Sequence, residues 1–204
     1  LGPDRQETLA ALLLRACGYD GRQTVVDPMC GSGTFLLEAA EIAADLQPGR
    51  DRAFAFQSLA TFDPDGFATL VRAGSGPTPL HRFYGYDRDQ GAIDGARRNA
   101  EAAGVDQICT FGCQPLSDLT PPEGEPGLVI VNPPYGTRIG NKGQLYALYG
   151  TLGRVLAERF RGWRVGIVTS DQALAHATGF DLTSGPVIDN GGIKVKLYQA
   201  DLSR

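Results

Sequence analysis

Three short apolar runs in this chain each end on a side chain that can hydrogen-bond. Thr24-Val25-Val26 ends on Asp27, Phe83-Tyr84-Gly85-Tyr86 on Asp87, and Leu128-Val129-Ile130-Val131 on Asn132. The first run opens into a glycine turn, Asp27-Pro28-Met29-Cys30-Gly31-Ser32-Gly33-Thr34. Glycines there let the backbone approach a ligand closely and adopt positive φ. By itself such a turn also suits phosphates and dinucleotides. A Walker A loop needs Gly-Lys-Ser/Thr, and this turn has no lysine; the dinucleotide fingerprint needs a third glycine where Leu36 stands. The carboxylate of Asp27, directly before the turn, repels phosphate and attracts cations. Asp87 can accept hydrogen bonds from both hydroxyls of a ribose, or it can cap the helix that follows, a task for which Asp89 is equally placed. Asn132-Pro133-Pro134-Tyr135 offers an amide oxygen on a backbone that two prolines stiffen. Taken alone, it is also simply a rigid turn after a strand.

The elements that must position these groups alternate along the chain. Residues 5 to 17 predict a helix with Leu9, Leu12, Leu13 and Ala16 on its apolar stripe and Gly18 as its cap. Thr24 to Val26 is a strand, and residues 34 to 46 are a helix stopped by Pro48-Gly49. Residues 47 to 82 form an excursion too long for a bare loop. Asp63-Pro64-Asp65 starts a helix inside it, with Phe67, Leu70 and Val71 at helical spacing, and Gly74 to Pro79 is its loop. The strand 83 to 86, a helix from Gln90 to Ala103 closed by Gly104, and a short strand from Ile108 to Phe111 follow. Then come the continuous apolar strand 128 to 131, a helix over about 144 to 160, a strand Arg164 to Thr169, and two late β-rich stretches. In the second of these, Val195 and Leu197 alternate with Lys194 and Lys196. Strands alternating with helices imply a sheet covered on both faces. The expectation is one α/β domain over residues 1–204, doubly wound on a mostly parallel seven-stranded sheet. It carries a helical insertion after the first β-α unit. In such sheets ligands sit outside the carboxyl ends of the strands, where Asp27, Asp87 and Asn132 fall.

S-adenosylmethionine carries an ammonium and a sulfonium and no phosphate, so it meets the charge requirement set by Asp27. The motifs then become specific together. DPMCGSGT, GYDRDQGAIDGARRNAEAAGV and NPPYG resemble those of the class I methyltransferases, in the amino-methyltransferase branch. QETLAALLLRACGYDG, PGRDRAFAFQ and NGGIKVKLYQ look like the matching stretches of bacterial guanine-N2 ribosomal-RNA methyltransferases that carry a THUMP RNA-binding domain. The resemblance covers nearly all the chain. It implies a Rossmann-like methyltransferase fold with S-adenosylmethionine as cofactor. It also implies that Asp27, Gly31 and Gly33 line the methionine part, within a turn whose Pro28, Cys30, Ser32 and Thr34 complete the cofactor contact, and that Asp87 holds the ribose. The family usually places an Asp after the third strand to bond the adenine amine. Here Pro115 falls at that position, which leaves Gln114, Asp118 or a backbone group to serve.

The reaction so implied moves a methyl group to an amine whose lone pair is delocalised into an aromatic ring. Alignment is what the protein must supply. If the Asn132 side-chain oxygen and the Pro133 carbonyl each accept an N–H, the nitrogen is drawn towards sp3 and its lone pair faces the methyl; Pro133 and Pro134 keep these acceptors in place. Tyr135 gives a flat face for a base, where stacking is worth about 1–3 kcal/mol. An Asn, not an Asp, suits a neutral amine. Carbon methylation through a cysteine would need a Cys near this loop, and the sequence has none there. The expected acceptor is the N2 amine of guanine in RNA, 23S rRNA first and tRNA second, with DNA bases and protein glutamine as further alternatives. A base must be flipped or unpaired to reach such a pocket. Arg138, Lys142, Lys194 and Lys196 could guide its backbone, whereas Arg154, Arg159, Arg161 and Arg164 read more readily as a solvated helix face.

The formal charge is -4, whereas a self-sufficient nucleic-acid binder would show an excess of Lys and Arg. With a first residue of Leu1, this leads to the expectation that the THUMP domain supplies most RNA affinity and lies outside this chain. No apolar run approaches the roughly 20 residues that span a bilayer, and Arg5, Glu7 and Arg15 speak against a signal peptide, so a cytoplasmic setting is expected. Cys17, Cys30, Cys109 and Cys113 show no paired spacing and read as reduced thiols. His81 and His176 lack partners at ligand spacing, so no metal site is expected.

Overall fold

A computed structural model describes residues 3–50, 52–73, 79, 81–136, 142–190 and 192–203. Helix α1 (Pro3–Ala16) precedes strand β1 (Val25–Asp27), helix α2 (Thr34–Ala43) and the insertion with helix α3 (Pro64–Ala73). Strand β2 (Phe83–Asp87), helix α4 (Gln90–Ala103), strand β3 (Cys109–Cys113) and strand β4 (Leu128–Val131) follow. Helix α5 (Lys142–Arg159), strand β5 (Arg164–Thr169), the short helix α6 (Gln172–His176) and strands β6 (Thr183–Asn190) and β7 (Ile193–Asp201) complete the chain. The seven strands form one sheet in the order β3-β2-β1-β4-β5-β7-β6. β1 to β5 are parallel, and β7 enters antiparallel between β5 and β6. This is the doubly wound α/β fold expected from the sequence.

The sheet separates two cores. On one side Leu13, Leu14, Leu36, Phe83, Ile93 and Ile130 pack beneath α1, α2 and α4. On the other Val129, Val131, Leu145, Tyr149, Leu152 and Phe160 pack beneath α5 and α6. All four residues of β4 are buried, because a central parallel strand meets helices on both faces. Helix ends follow local chemistry. Asp89 caps α4 by accepting from the Gly91 amide at 2.8 Å, and Gly104 ends it at φ 70°. Asp63 starts α3 by accepting from the Asp65 and Gly66 amides at 3.1 and 3.0 Å.

Two details differ from the sequence reading. The buried face of α1 is Ala10, Leu13, Leu14 and Cys17, while Leu12 is 59% exposed and Ala16 is exposed. Both stripes have i, i+3, i+4, i+7 spacing, and α1 is turned by one residue. In the insertion, Phe67 packs in an aromatic cluster with Phe54, Phe56 and Phe62, but Leu70 is 71% exposed. Arg50 ties this unit to Glu41 of α2 at 3.0 Å and to the Ala103 carbonyl at the end of α4.

α5 packs closely on the turn after α6. A Cβ on Gly153 would stand 1.8 Å from the Thr178 carbonyl oxygen. Alanine is the better helix former by about 1 kcal/mol, yet displacing backbone in a packed interior typically costs about 1–3 kcal/mol or more. Gly153→Ala is therefore expected to destabilise the domain, read as a lower urea midpoint; an unchanged or raised midpoint would contradict this packing.

Candidate functional site

β1 is the switch point of the sheet: β2 and β3 extend from one side of it and β4, β5, β7 and β6 from the other. Helices therefore leave β1 and β4 on opposite faces, and a crevice opens at their carboxyl ends. A cavity of about 260 Å³ lies there, lined by Asp27, Cys30, Gly31, Ser32 and Thr34 of the turn and by Asn132. Its volume is just below the usual range of small-molecule sites, about 300–1,000 Å³. Leu9, Ala10 and Leu13 of α1 roof it, with Met29, Phe35 and Val168. A larger cleft of about 740 Å³ lies at the opposite ends of the strands, around Leu128, Arg164, Asp181 and Asp201, and holds none of the cofactor or acceptor-site residues expected from the sequence.

Asp87 organises the turn. Its Oδ2 accepts from the Gly31 amide at 3.1 Å, its Oδ1 from the Asp89 amide at 3.0 Å, and its carbonyl from the Gln114 amide at 2.9 Å. The helix cap is Asp89 and not Asp87. Gly31 has φ 52°, and nothing stands within 4 Å of where its Cβ would be. A side chain at that position would enter open space, so the turn presents bare backbone to a ligand. Gly33 behaves differently. It starts α2 at φ 85°, and its Cβ would come within 3.3 Å of Ala96 and Phe111. It faces α4 and β3 instead of the cavity, so its glycine answers to packing. Pro28 is buried, and the Ser32 and Thr34 hydroxyls stand 3.2 Å apart. Gln114 is half-buried beside the end of β2, whereas Asp118 is exposed and accepts from the Ser117 hydroxyl at 3.0 Å; neither lines the cavity.

Asp27 is 2% exposed and accepts from the Met29 amide at 3.1 Å. Burial pushes its carboxyl up to about 8; the Met29 amide opposes the rise and the nearby Asp87 adds to it. A cation brought into the cavity would restore the ionised form.

At the β4 exit Asn132 is exposed at the rim and Pro133 is buried. Pro134 and Tyr135 are half-buried, and Tyr135 packs against both cores. Beneath them, fully buried Tyr149 donates to the Thr169 hydroxyl at 3.1 Å, and that oxygen accepts from the Asp171 amide at 3.2 Å. This network pins α5, which follows the loop begun by Asn132–Tyr135, to the end of β5. No cysteine lies near Asn132 in sequence, but the fold brings Cys30 to the same cavity. Burial pushes its thiol well up, with Asp27 and Asp87 adding to the shift, so it stands as a protonated thiol and not as a nucleophile. Sequence reasoning missed this juxtaposition and the α1 roof. Of the expected RNA guides, Arg138 lies outside the described residues. Among the described residues no group of three or more His, Cys, Asp or Glu is placed to hold a metal ion, and no helix is long and apolar enough to cross a membrane.

The domain matches a family model described as RMKL-like, methyltransferase domain, over residues 5–185. It is 39% identical over 177 residues to the ribosomal RNA large subunit methyltransferase K/L of Vibrio campbellii, covering 83% of this chain and 25% of that protein. Among solved structures it superposes on SMU.472, determined with SAH, with a TM-score of 0.88 and 29% identity, covering 97% of this chain and 53% of that one. A possible methylase from Clostridium difficile 630 gives a TM-score of 0.86 and 33% identity, with the same coverage. The chain thus spans about a quarter of the curated relative and about half of each structural one.

The burial of Asp27 has a measurable sign. Its folded pKa, about 8, lies above the unfolded value of about 3.9. The folded state keeps a proton that the unfolded state loses, so this residue lowers stability increasingly from about pH 4 to pH 8 and by a constant amount above. Asp27→Asn is expected to raise the melting temperature of the ligand-free protein, by a margin that widens across that window and then levels. A margin independent of pH would show that the carboxyl is ionised throughout.

Proposed function

Since the chain belongs to the family of RMKL-like methyltransferase domains, we propose that it transfers a methyl group from S-adenosylmethionine to the exocyclic N2 amine of guanine in RNA, with large-subunit ribosomal RNA as the first substrate and tRNA as the second. One observation carries this reading: Asn132 and the turn from Asp27 to Thr34 line a single cavity. This arrangement supports a donor and an acceptor meeting at one place. The relatives named for ribosomal RNA large-subunit methylation support the choice of RNA, and the SAH held by SMU.472 supports the cofactor.

The residues fit that cofactor. Bare backbone at Gly31 gives it close approach, and the Asp27 carboxyl faces its positive charge. Two of the roughly four acceptor sites on the Asp87 carboxylate are used by amides, which leaves two for ribose hydroxyls. Gln114, next to Asp87, is better placed than Asp118 for the adenine edge. When bound, the cofactor supplies a methyl on a sulfonium, a leaving group that needs no protein nucleophile.

The protein's own part is alignment. The Asn132 Oδ1 and the Pro133 carbonyl accept the two amine N–H groups and turn the nitrogen lone pair towards the methyl. Burial of Pro133 and the packing of Tyr135 hold these acceptors still, and the Tyr135 ring offers the base a face. The N–C bond forms as the C–S bond breaks, and the surplus amine proton leaves to water. Placing two reactants in this way can lower a barrier by about 7–11 kcal/mol.

Asn132→Ala is expected to lower methyl transfer to RNA by about 10²–10³, the usual cost of removing one preorganised hydrogen-bonding group, while cofactor affinity measured by calorimetry stays within a few-fold. Lost cofactor binding with methylation retained would overturn the assigned roles. Nucleoside mass spectrometry of rRNA and tRNA from a deletion strain identifies the acceptor. If every guanine-N2 methyl mark persists, the guanine assignment fails.

A further inference from the structure

The β6–β7 hairpin outruns the sheet at the edge that carries Asn132. The last β5–β7 pair is Thr169 with Lys196, and β7 begins three residues earlier at Ile193. At roughly 3.3 Å per residue, the tip stands about 10 Å beyond the end of β5. β4 pairs with β5 through Val131 and Ile167, so Asn132 is level with Val168. With strands roughly 4.8 Å apart, β7 runs about 10 Å to the side of that residue. The hairpin's strand pairing is irregular where it leaves the sheet. The β6–β7 register shifts between Ser184 and Val187, across Gly185 and Pro186. A proline is tolerated there because β6 is the edge strand, and a bulge re-aims the strand beyond it.

The overhang has two unlike faces. Val195 is buried in the core under α1 and α2, with Ile188 packed against it. On the other face Lys194 is exposed, Lys196 is half-buried, and Val187 is 54% exposed. Asp189 pairs across from Lys194, but its Oδ1 is held by the Gly192 amide in the turn at 2.9 Å.

Among the described residues, several other cations serve the fold. Arg159 donates to the Ser117 and Leu119 carbonyls at 2.9 and 2.7 Å, and Arg164 to Gln23 at 2.6 Å and to the Cys17 carbonyl. Arg97 donates to the Phe111 carbonyl at 2.7 Å, and Arg154 pairs with Glu158 at 3.1 Å. Arg88 is flanked by Asp87 and Asp89. In a chain of net charge -4, Lys194 and Lys196 are thus cations at the catalytic edge that the fold itself does not require.

We propose that the β6–β7 overhang is an RNA contact surface, on which Lys194 and Lys196 hold phosphates of the strand flanking the target base. This rests on the RNA reading above. The lysines set where the strand lies and carry no sequence information.

The test compares the wild-type chain with Lys194→Ala/Lys196→Ala and Lys194→Arg/Lys196→Arg. Binding of a mixed-sequence single-stranded RNA oligonucleotide is followed by fluorescence anisotropy over a salt series. S-adenosylmethionine affinity and methylation of total ribosomal RNA are measured alongside. The alanine pair should weaken RNA binding about 10-fold near physiological salt and flatten the log K against log salt slope by about 1.4, or 0.7 per phosphate lost. The arginine pair should keep the wild-type slope, and cofactor affinity should not move in either. An unchanged slope in the alanine pair, with wild-type methylation of RNA present, overturns the hairpin's role alone. Absence of any methyl transfer to RNA by the wild-type chain overturns the reading beneath it.

Discussion

Asp87, through its carboxylate and its backbone carbonyl, joins its own segment to two others that are far apart in sequence. One oxygen holds the amide of Gly31, the other the amide that begins the run into α4, and the residue's carbonyl takes the amide of Gln114. The glycine turn needs such an anchor, because a stretch with two glycines at positive φ has more conformations to lose on folding than any other. A charge-assisted bond from outside the turn selects one of them. It also explains why Gly31 and Gly33, two residues apart, have opposite duties. Once Asp87 fixes Gly31 towards the open crevice, Gly33 is turned to the interior, where a Cβ would crowd Ala96 and Phe111 at 3.3 Å and the positive φ itself favours glycine.

Asp27 shows the opposite economy. A carboxyl at 2% exposure with one amide partner is poorly solvated and resists ionisation, and Asp87 nearby deepens that resistance. A protein selected only for stability would place an apolar or amide side chain here. The unfavourable charge makes sense as half of an interaction whose other half is a cationic ligand. Ligand binding then stabilises the fold and ionises the acid together, since anything that binds only the native state adds to its stability. Cys30 beside it feels the same low-dielectric surroundings and stays neutral, which keeps the cavity free of a competing nucleophile.

Much of this was legible in the residues. Strand ends carry the ligand chemistry in a doubly wound sheet, and the three polar residues that end apolar runs fell at those ends, in the strand order the fold required. Asp89, not Asp87, proved to be the helix cap, as its position allowed. What could not be read was phase and proximity. The run Leu12-Leu13-Leu14 in α1 satisfies two neighbouring helical stripes, and only the packing against α2 and the sheet selects the one that includes Ala10 and Cys17. The meeting of Cys30 with Asn132 depends on β1 lying beside β4, which sequence distance conceals. The overhang of β7 likewise follows from its antiparallel register with β5. The alternation of Val195 and Leu197 with lysines announced a strand with two faces, but not that the strand would outrun its neighbour.

For an acidic chain, the RNA substrate proposed above poses an electrostatic problem, and scale resolves it. At physiological salt, charges farther apart than about 8 Å are largely screened from one another, so a phosphate at the catalytic edge responds to the few groups around it more than to the net charge. Several described arginines donate to backbone carbonyls inside the fold, as Arg159 does to Ser117 and Leu119, where the planar guanidinium can serve two acceptors at once. Lysine is a hydrated point charge on a flexible stem and suits a phosphate whose position varies with the strand. Two lysines on a hairpin can orient a strand but supply little affinity, since non-specific binding grows with each neutralised phosphate. On the proposed reading, positioning at the reacting amine and overall affinity for RNA are thus separable demands, and two lysines suit the first.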